Sequence, residues 1–252
     1  MTDIRYRIYP SLLGYHTEYE EAEATWEKYW GFSDDPPYTP EQWREKKRQD
    51  LIDRINRVPL ELEVADKGTA LNALTDWLAC RRTTKGVELD EWRKGEDLLG
   101  WKVLYNGRIF HFPKALCEKC REEFTGCVPQ VFVRGEFETD GGGVELYGFA
   151  DYVRMDKVSD MKLTTSYSHG KYRTGWQHIV YPLCLRQMGS DIRLFEYYVA
   201  VVETAAWGVY REDHFLRPEE DGLRLRQKLE DFILFLERNR ERITDRKIFC
   251  KE

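Results

Sequence analysis

The segment GFADYVRMDKVSDMKL, residues 148–163, restricts the fold of this chain more than any other. Two β-prone runs flank Met155-Asp156, and a hairpin centred there sets Val153 against Val158 and Asp151 against Asp160. Side chains alternate along a strand, so Asp151, Val153, Val158, Asp160 and Lys162 are expected on one face. Opposed like charges on an antiparallel pair, with Cβ atoms about 5 Å apart, destabilise the pair unless something neutralises them. A hard divalent cation such as Mg²⁺ (or Mn²⁺), which prefers oxygen ligands, would turn that repulsion into coordination. Lys162 would then stand beside the metal as a cation for a scissile phosphate or a nucleophilic water. Phosphodiester hydrolysis needs this combination of metal-activated water and positive charge. A bulge would shift the register by one, and charges on a half-exposed strand are otherwise ordinary solvent-facing residues.

The surrounding pattern gives these strands a setting. Residues 1–66 are rich in aromatic and charged residues and read mostly as helices, broken at Ser33-Asp34-Asp35-Pro36-Pro37. KGTALNALTDWLAC, residues 67–80, has helical apolar spacing, with Asn72 and Asp76 one turn apart on a polar face. Asn106-Gly107 between apolar runs signals a tight hairpin. VFVRGEFE and VELYGFADYV, joined through Gly141-Gly142-Gly143, form a second hairpin. Further on come a helix from about Trp176 to Met188, the strand DIRLFEYYVAVV and a charged amphipathic helix from about Pro218 to Arg242. This order predicts a mixed α/β core with one central sheet. Over 252 residues the expectation is one domain: a helical region 1–66, a core 67–202, and a C-terminal strand and helix 203–252.

These residues resemble the PD-(D/E)XK nucleases, in the branch containing the RecB nuclease domain and lambda exonuclease, of phage or prophage type. Gly148-Phe149-Ala150-Asp151, then Asp160-Met161-Lys162 nine residues later, match the strand-borne aspartate and (D/E)-x-K. Gln177-His178-Ile179-Val180-Tyr181 matches the Q-x-x-x-Y helix. The family's G-x-x-x-H-x-x-x-E helix corresponds to Gly68–Asp76, with Asn72 in place of histidine and Asp76 in place of glutamate. The resemblance covers roughly residues 67–202. It implies a restriction-endonuclease-like core: a central mixed sheet whose antiparallel hairpin carries the active site, flanked by helices, with extra N- and C-terminal helices. It further implies a divalent-metal-dependent deoxyribonuclease, an exonuclease in recombination, repair or phage DNA processing. Asp151, Asp160, Lys162, Gln177 and Tyr181 would be catalytic, and Asp76, Asn72, Asp151 and Asp160 would hold the metal. DNA is the expected partner, with a recombinase or single-strand-annealing protein beside it, and homo-oligomers are compatible with the family.

Lys171, Arg173 and Tyr172, between the third strand and the next helix, are candidate DNA contacts, with Tyr172, Tyr167 and Trp176 able to stack on bases or to pack the core. Proline at position 182 is expected to kink or break the helix after Tyr181. Cys117, Cys120 and Cys127 with His111 could supply zinc ligands, but their spacing is loose and Cys117-x-x-Cys120 suits a short amphipathic helix. An iron–sulfur cluster lacks its cysteines after Tyr181, where only Cys184 and Cys250 follow. Two other readings stay open: a DNA-binding or assembly module of the same fold without cleavage, and a zinc-stapled protein-interaction protein. A net charge of −6 argues against indiscriminate coating of nucleic acid but leaves room for a local basic groove. Basic clusters occur at Arg44, Lys46, Lys47 and Arg48, at Arg224, Arg226 and Lys228, and at Arg238, Arg240 and Arg242. No apolar run approaches the roughly 18 residues of a membrane span, and MTDIRYRIYP lacks a secretory core, so a cytoplasmic protein without membrane partners is expected.

Overall fold

Strand alternation and helical periodicity become a mixed sheet between helical layers in the computed structural model, which describes residues 3–59, 62–202 and 207–250. The chain runs β1 (Ile4–Ile8), α1 (Pro10–Glu20), α2 (Ala22–Trp30), α3 (Pro40–Ile55), α4 (Glu63–Cys80), β2 (Glu88–Lys94), β3 (Asp97–Tyr105), β4 (Arg108–Pro113) and α5 (Lys114–Phe124). It continues through β5 (Val128–Thr139), β6 (Gly142–Val153), β7 (Lys157–Thr164), α6 (Gln177–Gln187), β8 (Leu194–Val202), β9 (Trp207–Phe215) and α7 (Pro218–Arg238). The larger sheet has six strands, in the order β1-β6-β7-β8-β9 with β5 on the other edge of β6. The expected single sheet is joined by a second, antiparallel one of three strands, β2-β3-β4. Its β2, ELDEWRK, is charged and exposed and so gives no alternating apolar signal. The predicted division at residue 203 lies outside the described residues.

The hairpin at Asn106-Gly107 forms with Tyr105 facing Arg108, and both loop residues take positive φ, 48° and 73°, as a primed two-residue turn requires. Between β6 and β7 the register is the predicted one, with Val153 opposite Val158 and Tyr152 opposite Ser159. β7 then pairs in parallel with β8, whose residues are buried from Phe195 onward because both sheet faces are covered. Phe195, Tyr197 and Val199 join the core under α1, α6 and α7, whereas Tyr198, Ala200 and Val202 join the core under α4 and α5. Among the described residues no helix is long and apolar enough to cross a membrane.

Two features locate the site. One edge of β6 is shared: β1 lies parallel to residues 143–146, while β7 pairs only at Tyr152 and Val153, leaving a fork between them. Within that fork β6 turns over. Leu146 and Ala150 pack with the α6-side core, but Tyr152, still even-numbered, packs with the α4-side core. The turnover falls at Asp151, opposite Gln130. These two are absent from an otherwise continuous β5–β6 ladder, and Gln130 takes a left-handed φ of 53°.

Candidate active site

The fork frees Asp151 from strand pairing, so its side chain takes over the bonding. Asp151 Oδ2 accepts from the backbone N–H of Met161 at 3.0 Å, bridging β6 to β7 where the ladder has stopped. Its other oxygen accepts from Gln130 Nε2 at 3.3 Å. Burial and the neighbouring Asp160 raise the Asp151 pKa, against the pull of Lys162. The directly opposed pair of the simple hairpin is therefore replaced by two carboxylates that meet across a fork. The electrostatic conflict between them remains.

Asp160, Lys162 and Gln177 close a triangle. Lys162 Nζ stands 2.6 Å from Asp160 Oδ2 and donates to Gln177 Oε1 at 2.8 Å, while Gln177 Nε2 donates to Asp160 Oδ1 at 2.8 Å. Asp160 and Lys162 meet here because they are two apart on β7, and Gln177 arrives because α6 begins with it. Asp160 is 3% exposed, and its Oδ2, though close to the ammonium, lacks a partner in hydrogen-bonding geometry. Tyr181 completes the group from the next turn of α6. Burial, with Asp160 next, keeps its phenol protonated well past the usual range. The break expected at Pro182 does not occur, since α6 continues to Gln187.

Gly148 explains how Tyr181 fits. A Cβ at that position would stand 2.9 Å from the Tyr181 hydroxyl and 3.0 Å from its ring. Gly148→Ala is accordingly expected to displace Tyr181 and cost about 1–3 kcal/mol, measurable by chemical denaturation, with any activity of the site reduced alongside. An unchanged unfolding midpoint would show that the ring can move freely.

The segment after β7 folds back over this group. Lys171 Nζ donates to Thr164 Oγ1 at 2.8 Å and to the Ser166 carbonyl at 2.9 Å, and Tyr172 stacks on Tyr197 at 5.1 Å. Tyr197 also lies under Lys162, 5.7 Å from its Nζ. Arg173 is exposed. Buried Glu212 of β9 holds the segment by accepting from the Tyr167 hydroxyl at 2.9 Å and the Gly170 N–H at 3.2 Å. Glu212, Tyr197 and Gln130 carry no local motif, and only long-range pairing brings them here.

Asn72 and Asp76 are placed differently. α4 packs on the face bearing Tyr152 and Met161, with Thr75 Oγ1 3.9 Å from the Met161 sulfur, whereas Asp160 and Lys162 alternate onto the α6 side. Asp76, 2% exposed, pairs with Arg82 Nη1 at 2.6 Å, yet burial still raises its pKa. Asn72 Oδ1 and Asp76 Oδ1 are buried without hydrogen-bond partners. Among the described residues no three His, Cys, Asp or Glu side chains form a group able to hold a metal ion. Asp76 does not join Asp151 and Asp160 in such a group, and those two are the pair the fold brings together. For a cation that keeps much of its water shell, such as Mg²⁺, these two carboxylates, with Asp160 Oδ2 lacking a hydrogen-bond partner, are a fitting donor set. The cysteine group does not form either. Cys117 and Cys120 are buried in α5, their thiols pushed up by burial to about 12, and His111 is exposed against Trp92.

No protein-family model and no curated protein matches the chain. A solved structure titled "Crystal structure of SSO0001" aligns with 93% of this chain and 78% of its own at 12% identity, with a TM-score of 0.44.

Proposed function

We propose that this chain is a divalent-metal-dependent DNA nuclease on a restriction-endonuclease-like core, hydrolysing phosphodiester bonds. The observation that carries the reading is the closed Asp160–Lys162–Gln177 triangle beside Asp151 at the fork of β6 and β7. Asp151 and Asp160 would hold Mg²⁺ or Mn²⁺. When bound, such an ion supplies a water of lowered pKa and charge for the phosphoryl oxygens. Lys162 holds positive charge at the same place and stabilises the oxyanion that develops during attack. Gln177 fixes both the Asp160 carboxylate and the Lys162 ammonium by bonding each. Tyr181, kept protonated, offers a donor from the adjacent turn. Lys171, Tyr172 and Arg173 form the rim across which DNA would approach. By resemblance, the mode is exonucleolytic, in recombination, repair or phage DNA processing.

Purified protein incubated with Mg²⁺ or Mn²⁺ and end-labelled DNA tests this. Degradation of linear duplex with closed circles spared is expected, and it should stop on chelation. Intact DNA with both metals, in protein that still binds the duplex, would replace the nuclease by a DNA-binding module of the same fold.

A further inference from the structure

The basic clusters of α3 and α7 are separated by almost two hundred residues in sequence yet meet at one place. An open cleft of about 370 Å³ lies between α1, α3 and α7, lined by His16, Arg44, Arg48 and Arg238 together with Glu20 and Asp231. Most cations of these clusters are spent on neighbours: Lys46 on Asp50, Lys47 on Glu18, Arg226 on Glu230 and Arg242 on Glu45. Arg44 and Arg238 differ. Both are exposed, and among the described residues neither has a carboxylate partner. Arg44 lies over the Tyr19 ring, 5.5 Å from its centre.

The floor of the cleft supplies the second observation. His16, 3% exposed and wedged against Tyr19, Phe232 and Phe235, has an Nδ1 without a hydrogen-bond partner, its nearest carboxylate Glu20 standing 3.6 Å away. Arg48 pairs with Glu45 at 3.3 Å through one terminal nitrogen, but its Nε is buried and unpartnered. Two orphaned nitrogens thus lie in the lining of a cleft that also holds two unpaired guanidiniums. Buried polar groups in folded proteins are seldom left unsatisfied. Of the two carboxylates present, Glu20 is already neutralised by Lys228. Positive charge therefore prevails.

We propose that this cleft binds a phosphate group through Arg44, Arg48 and Arg238, with His16 Nδ1 beneath it. A phosphate offers several terminal oxygens to planar guanidinium forks, which suits three arginines converging from two helices. The phosphate could belong to a DNA backbone or to a free mononucleotide, and binding distinguishes them. Wild type and the Arg44→Glu/Arg238→Glu variant, both checked by circular dichroism, would be titrated without divalent metal against inorganic phosphate, a deoxynucleoside monophosphate and a short duplex. Omitting the metal keeps the result independent of the nuclease reading. Loss of at least tenfold in affinity for phosphate and the mononucleotide assigns the site to free ligands. The same loss for the duplex, with no mononucleotide binding to either protein, assigns it to the DNA backbone. Equal behaviour of the two proteins toward all three ligands overturns the proposal. Arg44→Lys/Arg238→Lys, which keeps charge without the fork, should recover only part of the loss.

Discussion

Replacing Lys162 by alanine is expected to lower metal-dependent DNA cleavage by about 10²–10³-fold while leaving duplex binding within a few-fold of wild type. Lys162 contributes its charge at the reacting centre, and removing one group that stabilises a developing oxyanion costs that order of rate. The side chain is half-buried and its stem packs beside Tyr197, so some loss of packing accompanies the change. Truncation leaves buried Asp160 bonded to Gln177 but without its cation, so a loss of stability accompanies the change, and circular dichroism at the assay temperature checks that the variant is folded. Lys162→Arg is the informative companion. A guanidinium keeps the charge but does not reproduce the compact ammonium between Asp160 Oδ2 and Gln177 Oε1, so it should restore little. Turnover in Lys162→Ala equal to wild type, measured with labelled linear duplex in excess Mg²⁺, would remove Lys162 from the mechanism and with it the reason for the site.

The contrast between Asp151 and Asp76 shows what in this site was legible from sequence. The β6–β7 register followed from local rules, since a short loop between alternating strands admits few pairings, and Val153 does face Val158. Lys162 followed from alternation, and Gln177 only from the resemblance of its Q-x-x-x-Y segment to the nuclease pattern. The turnover of β6 at Asp151 did not. It depends on Gln130, twenty-one residues earlier on a different strand, adopting a left-handed backbone that its residue type gives no reason to expect. Asp76 was hidden for a related reason. Helical spacing showed that Asn72 and Asp76 share a face of α4, but not which side of the sheet that helix covers, nor that Arg82 just beyond its end would take the carboxylate. β1 escaped notice because a five-residue strand is defined by its partner, and that partner lies far along the chain.

Acid should destabilise this protein well before its paired carboxylates are protonated, and His16 is expected to be the main cause. Burial depresses His16 to about 3 and, with His214 stacked 4.2 Å away, His178 to about 4. Both are therefore neutral in the folded protein near neutrality, while in the unfolded chain each takes up a proton near 6.5. The unfolded state then binds more protons, so stability is full above about pH 6.5 and falls as pH drops toward 4 and, for His16, toward 3. At about 1.4 kcal/mol for each pKa unit, complete titration of the pair is worth on the order of several kcal/mol, enough to unfold a marginally stable domain. Asp151 and Asp76 act in the opposite sense. Their carboxyl pKa values are raised on folding, so the cost of burying them charged is relieved as pH falls. The net slope is consequently smaller than the histidines alone would give, and one variant isolates the part due to His16. His16→Phe keeps a ring among Tyr19, Phe232 and Phe235 and removes the titration. Its unfolding free energy, measured in phosphate-free buffers between pH 7.5 and 4, should fall less steeply than that of wild type, the gap widening steadily below pH 6.5. Parallel curves for the two proteins would mean that the folded protein protonates His16 as readily as the unfolded chain does, and His16 would not be the cause of the acid sensitivity.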